Sequence, residues 1–285
     1  MTARALFVGL TTLDLIHRVD VHVGPNEKRS ALRQDVAAGG PAANAATTFA
    51  ALGGSALLVT ALGSHPLAVT ARTDLLDRGV EIVDATPDRA EPLPVSSVRV
   101  IDPTGDRSVT SVNDTGADAA MPGHVQLDGI DVVVLDGWHR SLALGAASLA
   151  REAGVPIVLG AGSPRPLVEE LLPLVDFVVA AAGFPVERIA SATTWAQTNG
   201  PDALVWHTPD EDGVVPVPHV SVLDTLGAGD AFLGATAFAI ASGSVSWPDA
   251  LAFAARVASI RVQYVGMRAG LAAAAASTEL RRLAR

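Results

Sequence analysis

Short apolar runs punctuated by glycine and proline organise this chain. ALFVGL (residues 5–10), ALLVTAL (56–62), IDVVVLDG (130–137), VPIVLGA (155–161), VDFVVAA (175–181) and ALVWH (203–207) are mostly continuous rather than alternating in hydrophobicity. That is the pattern of parallel strands buried on both faces. Between them, helical patterns cover 41–52, 66–78, 141–153, 186–198, 228–243 and 247–265. Strand and helix in alternation predict a three-layer α/β/α fold with a mostly parallel central sheet. Two stretches break the alternation, 15–37 and 93–114, both reading as β structure with one polar face. The second runs SVRVI, turns at Asp102-Pro103-Thr104-Gly105 and returns as RSVTSV, a hairpin pattern. Strands of this kind predict a small sheet projecting from the main one, as a lid or a dimer surface. Residues 1–285 are read as one domain carrying that lid.

Composition narrows the classes. With 285 residues and 49% hydrophobic content, the chain can bury a sizeable core. No uninterrupted apolar stretch reaches the roughly 18–20 residues of a membrane-spanning helix. The start MTARALFVGLTTLDL lacks the basic segment, long apolar run and small-residue cleavage site of a secretory signal. Cysteine is absent, which excludes disulfides, thiolate metal sites and cysteine nucleophiles. A soluble cytoplasmic protein is the expectation. The net charge of −10 argues against sequence-independent nucleic-acid binding, and Lys28 is the only lysine. His17, His22, His65, His124, His139, His207 and His219 show neither i, i+4 pairing nor an HExxH run, so no zinc site is expected. His139 and Arg140, after the strand at 130–136, are candidates to line a pocket. Ser163 in GAGSP lacks the spacing of a hydrolase nucleophile.

The most informative stretch is Leu223-Asp224-Thr225-Leu226-Gly227-Ala228-Gly229-Asp230-Ala231-Phe232. A strand-like VSVL run ends, a Gly-Ala-Gly turn follows, and a long apolar helix begins. The glycines let backbone approach a ligand closely, and the free N–H groups of the helix start favour negative charge. Asp230, in the first helical turn, is placed to accept a proton from an attacking hydroxyl beside a bound phosphate. On its own a GAGD run is also an ordinary turn followed by a first-turn helix acid. A second stretch, Ala38-Gly39-Gly40-Pro41-Ala42-Ala43-Asn44, reads as a turn feeding a helix with proline at its start. Asn44, a weak helix former, is the residue that reading leaves unexplained. Asp14 follows the first strand, at the sheet edge where open α/β folds bind ligands, although an acid there is commonly a loop residue or cap.

The run D-T-x-G-A-G-D-x-F at 224–232 resembles the second signature of the ribokinase-like (PfkB-type) carbohydrate kinases, and G-G-x-x-x-N at 39–44 resembles the first. The resemblance extends over nearly the whole chain. VGLTTLDLIHRVD, VLDTLGAGDAF and the tryptophan of LVWH look closest to the ketohexokinase-like branch. It implies ATP-dependent phosphorylation of a primary hydroxyl on a sugar or sugar derivative, with Asp230 as base and Gly227, Ala228 and Gly229 forming the anion hole. It implies sugar contacts from Asp14, Gly39, Gly40, Asn44 and Asp230. Nucleotide contacts fall to Thr225, Gly227, Gly229, Trp206, His207 and Arg107, the last matching a lid arginine that approaches ATP. It also implies Mg²⁺ and a homodimer joined through the lid.

The chain departs from the pattern in several places. The N-x-x-E positions that organise Mg²⁺ fall at about Ala181 and Phe184, so no protein metal ligand is assigned. The ion is expected on nucleotide phosphates and water, with an acid such as Asp224 in its outer shell. The T-x-G nucleotide loop is expected to be replaced by Trp206-His207-Thr208-Pro209. Pro41 stands where ketohexokinase has asparagine, and Trp138 near where it has arginine, so fructose specificity does not carry over. A nucleoside kinase of the same fold and a catalytically silent sugar or nucleotide sensor are the alternatives.

Overall fold

The chain opens with β1 (Arg4–Val8), then an antiparallel pair, β2 (Thr12–Val19) and β3 (Arg33–Gly39). Helix α1 (Pro41–Ala51), β4 (Ser55–Thr60), α2 (Pro66–Asp77) and β5 (Val80–Asp84) follow. A second antiparallel pair, β6 (Val95–Ile101) and β7 (Arg107–Ser111), precedes β8 (Val132–Leu135), α3 (Arg140–Ala153), β9 (Ile157–Ala161), α4 (Pro166–Leu171) and β10 (Phe177–Ala180). The remainder is β11 (Trp195–Asn199), β12 (Asp202–His207), β13 (Asp212–Val215), α5 (Ala228–Ala241), α6 (Trp247–Arg261) and α7 (Ala269–Ala276). This computed structural model describes residues 2–277 apart from 103, 114–118, 244–245 and 267.

Nine strands form the large sheet in the order β13-β12-β11-β10-β9-β8-β1-β4-β5. Pairing is parallel from β11 through to β5; β12 pairs antiparallel with both β11 and β13, so among these strands it alone runs opposite to the rest. Side chains alternate across the sheet, and both faces are covered. Ala5 and Phe7 of β1 face a core shared with α1, α2, α5, α6 and α7, whereas Leu6 and Val8 face one shared with α3 and α4. That explains the continuous apolar runs, since each fully buried Val, Leu or Phe contributes roughly 1.5–3 kcal/mol. The three-layer α/β/α architecture follows the expectation.

The smaller sheet has the order β3-β2-β6-β7 and uses the two segments that broke the alternation. Of its expected extent, Pro103 in the turn and Asp114 at the end lie outside the described residues. Its apolar face, Ile16, Val98 and Val100, packs on Leu226 just before the Gly-Ala-Gly turn.

Three expectations are corrected. Residues 186–198 do not form a helix: a 3₁₀ turn (Val186–Arg188) leads to β11, which pairs with β10 through Val178↔Trp195 and Val179↔Ala196. Helix-like spacing there is overridden by β-branched and aromatic residues, Thr193-Thr194-Trp195, leading into a strand that pairs on both sides and buries Ala196. The VSVL run (220–223) is extended loop, held instead by the Leu223 N–H on the Val262 carbonyl. ALVWH is a strand, β12, but it runs antiparallel.

Candidate active site

Strand order reverses between β8 and β1, so their carboxyl ends and the start of α1 meet at the position where open α/β sheets bind ligands. Asp136, just after β8, is the fixed point there. Its carboxylate accepts from the N–H groups of Leu10 (2.8 Å), Ala42 (3.1 Å) and Trp138 (3.0 Å), tying β1, the first turn of α1 and the loop after β8 together. Burial pushes this carboxyl up to about 6, against the pull of those N–H groups and of Arg165. Gly9 leaves room for it, because a Cβ there would overlap the Asp136 carboxylate.

Gly39 plays the same part for Asp14, since a Cβ on it would overlap the Asp14 carboxylate. Gly40 turns into α1 at φ 95°, and a Cβ on it would strike the Leu10 carbonyl. Asp14 sits within β2 and not in a loop. It is buried, and accepts from the Thr12 hydroxyl at 2.6 Å. Desolvation raises its pKa, opposed by hydrogen bonds from Thr12 and Ser96 and by the charge of Arg268.

Helix α5 is preceded by Gly227 in left-handed conformation (φ 74°) and carries Asp230 in its first turn. The Ala228 N–H is taken by the Thr225 carbonyl (3.2 Å), while those of Gly227, Gly229 and Asp230 have no protein acceptor among the described residues. Free donors at a helix start make an anion site. Asp230 accepts from the Asn44 Nδ2 at 2.8 Å, and Asn44 Oδ1 accepts from Arg268 Nη1 at 3.0 Å. This explains an asparagine in an alanine-rich helix: it bridges a carboxylate and a guanidinium. The Asp230 pKa is raised, chiefly by desolvation and also by the Asp14 charge. Asn44, Arg107 and Arg268 act in the opposite direction.

On the other side of this helix start lies a cavity of about 600 Å³. Thr225, Ala228, Gly229 and Phe232 form one wall, and Arg107 of the small sheet reaches its rim. Arg107 donates to the Thr225 hydroxyl (2.7 Å), which donates in turn to the Gly105 carbonyl (3.2 Å). Thr198-Asn199-Gly200, at the end of β11, forms another wall. A T-x-G loop is therefore present at the sheet edge, correcting the expectation that Trp206-His207-Thr208-Pro209 replaces it. Trp206 is buried against Gly213 in the core, and His207 stacks on Trp195 and pairs with Asp212 at 2.7 Å. Neither lines the cavity.

Asp224 is likewise not free to approach a metal. One carboxylate oxygen accepts from the Leu226 N–H (2.9 Å), the other from Arg18 (3.1 Å) and the Gly266 N–H (3.0 Å), and Arg261 donates to its carbonyl. Arg140 is engaged at the surface by Glu170 (2.6 Å). Trp138 instead meets a second arginine, Arg165, whose guanidinium lies 3.6 Å above its ring. Sequence reasoning missed Asp136, Arg165 and Arg268, which lie far along the chain from the motifs they serve.

Comparison with known proteins agrees with this fold. A family model described as pfkB family carbohydrate kinase matches residues 2–183 and 186–274. Ketohexokinase of Mus musculus is 26% identical over 289 residues, covering 89% of this chain and 94% of that protein. An ATP-dependent ribose-1-phosphate kinase of Halopiger xanaduensis is 30% identical over 246 residues, 80% of this chain and 82% of that one. Among solved structures, an Arabidopsis thaliana ribokinase complexed with ribose and ATP has a TM-score of 0.76 at 23% identity, covering 98% of this chain and 100% of the other.

Proposed function

Because this chain belongs to the pfkB family of carbohydrate kinases, phosphotransferases acting on an alcohol group, we propose that it moves the γ-phosphoryl group of ATP to a primary hydroxyl of a sugar or sugar derivative. The observation that carries this reading is the start of α5. It separates a nucleotide-sized cavity on one side from the Asp230–Asn44–Asp14 cluster on the other.

In this reading ATP enters the cavity lined by Thr198-Asn199-Gly200 and Thr225, with its terminal phosphates at the free N–H groups of Gly227, Gly229 and Asp230. Arg107 exchanges the Thr225 hydroxyl for phosphate oxygen. The acceptor lies against Asp14 and Asn44 beside the Gly39-Gly40 turn. Its hydroxyl gives its proton to the Asp230 carboxylate as the O–P bond forms, and the bond to the leaving β-phosphate oxygen breaks, releasing ADP. The N–H groups stabilise the charge spread over the transferring group. No group of three or more His, Asp or Glu side chains converges as a metal site among the described residues. Mg²⁺ would in this reading be held chiefly by nucleotide phosphates and water, and would supply charge neutralisation.

The names of the two relatives, ketohexokinase and ribose-1-phosphate kinase, support a sugar-type acceptor. In this reading the small sheet serves as the lid, and Val36 and Val109 exposed on it, with Leu32 just before β3, are available to a second copy. Sedimentation equilibrium reporting a monomer at micromolar concentration would remove the dimer. ADP release across ketoses, aldoses, acidic and sulfonated sugars, sugar phosphates and nucleosides tests the main reading. Turnover confined to nucleosides, or none, would refute it.

A further inference from the structure

Arg268 lies 224 residues from Asn44 in sequence, between α6 and α7, yet it reaches the proposed acceptor site. Its side chain is nearly withdrawn from water at 11% exposure. Nη1 donates to Asn44 Oδ1 at 3.0 Å, and Nη2 donates to the Ala38 carbonyl at 2.6 Å and to Asp74 Oδ2 at 3.3 Å. Asp74 also accepts the Ala38 N–H at 3.1 Å, so α2 and the end of β3 hold the guanidinium in one place. A guanidinium can only donate, whereas an amide has one accepting and one donating end. Arg268 therefore selects the orientation in which the oxygen of Asn44 faces it and the NH₂ group faces Asp230.

We propose that Arg268 is a positioning residue for phosphoryl transfer: through Asn44 it keeps an N–H donor on Asp230 and maintains that carboxylate in the ionised form the reaction uses. The inference rests on the kinase reading of the site. The groups facing Asp230 are Asn44 from α1, Asp14 from β2, Arg107 from β7, Arg261 from α6 and Arg268 itself. Burial and Asp14 favour the protonated acid, while Asn44, Arg107 and Arg268 favour the carboxylate. Removing Arg268 takes away one cation directly. It also frees the amide to turn its oxygen toward a protonated Asp230 and accept its O–H, a contact that favours the acid form. Both effects let Asp230 keep its proton to higher pH, so the acid limb of kcat/KM moves upward.

A merely structural arginine, pinning the end of β3 and the segment before α7, would change stability without moving that titration. The test uses the full-length protein labelled with [¹³C]Asp, in which the Asp230 carboxyl resonance is identified by its loss in Asp230→Asn. In Arg268→Gln the Asp230 midpoint should rise by about one pH unit, a tenfold change in the ionisation equilibrium. Arg268→Lys, which keeps charge and a donor, should recover most of that shift. A midpoint within about 0.3 of wild type in folded Arg268→Gln overturns the proposal. Should the variants fail to fold, the wild type decides the matter: the side-chain NH₂ resonances of Asn44 must titrate with Asp230. If they are indifferent to it, the amide is not held as proposed. None of these readouts needs an acceptor, so a wild type that phosphorylates nothing refutes the kinase reading, and an unmoved Asp230 titration refutes this one.

Discussion

Gly229→Ala separates what the helix start does for the fold from what it does for a ligand. Gly229 is the second residue of α5, has no positive φ, and a Cβ built on it meets nothing within 4 Å. Alanine should therefore fit without strain and gain up to about 0.5–1 kcal/mol over glycine in helical conformation. For a chain of this length that corresponds to a Tm rise of roughly 1–3 °C. The same methyl projects from a residue that lines the cavity, where phosphate oxygens need to come within about 2.9 Å of the free N–H groups. ATP affinity should fall at least about tenfold, or 1.4 kcal/mol. Gly227→Ala is the contrast, because φ 74° is left-handed and alanine there costs about 1–2 kcal/mol, so Tm falls. Differential scanning fluorimetry gives the stabilities, and calorimetry with ATP and Mg²⁺ gives the affinities. A Gly229→Ala protein that is more stable and binds ATP within twofold of wild type would refute phosphate binding at this turn.

Other outcomes follow from the same geometry. Asp14→Ala should raise the acceptor KM by roughly 10–100-fold, as hydrogen bonds to a charged group contribute about 1.5–3 kcal/mol, and leave the ATP KM unchanged in steady-state assays. His207→Ala should leave ATP affinity unaltered by calorimetry, while Asn199→Asp, which sets a carboxylate in the cavity wall, should weaken it several-fold. The apparent Mg²⁺ affinity should track ATP concentration, and tight stoichiometric binding to the nucleotide-free protein would contradict an ion held by phosphates and water.

Local chemistry made much of this protein readable from its sequence. Continuous apolar runs located the parallel strands because both faces of the sheet are covered, and the polar-faced segments located the second sheet. Glycine and acid marked the start of α5, where the anion site is proposed, because few residue types suit that turn. The region 186–198 was misread because its apolar spacing mimics a helix, whereas its fate is settled by pairing with β10. Losing β11 hid the T-x-G loop that ends it, and moved the expected nucleotide contacts to Trp206 and His207. Asp136 and Arg268 were illegible for a different reason. Apart from the Trp138 N–H on Asp136, the hydrogen-bond partners named above for each lie about 94 to 230 residues away, and nothing in its own neighbourhood marks it.

The central claim, that Asp230 takes the proton of an acceptor hydroxyl, is tested most directly by Asp230→Asn. The substitution is nearly isosteric, and the amide can still meet Asn44, so the fold should be retained by circular dichroism and ATP should bind as in the wild type. With the preferred acceptor saturating, ADP release should fall on the order of 10²–10⁴-fold. Turnover within threefold of wild type in a folded, ATP-binding Asp230→Asn protein would contradict the assignment.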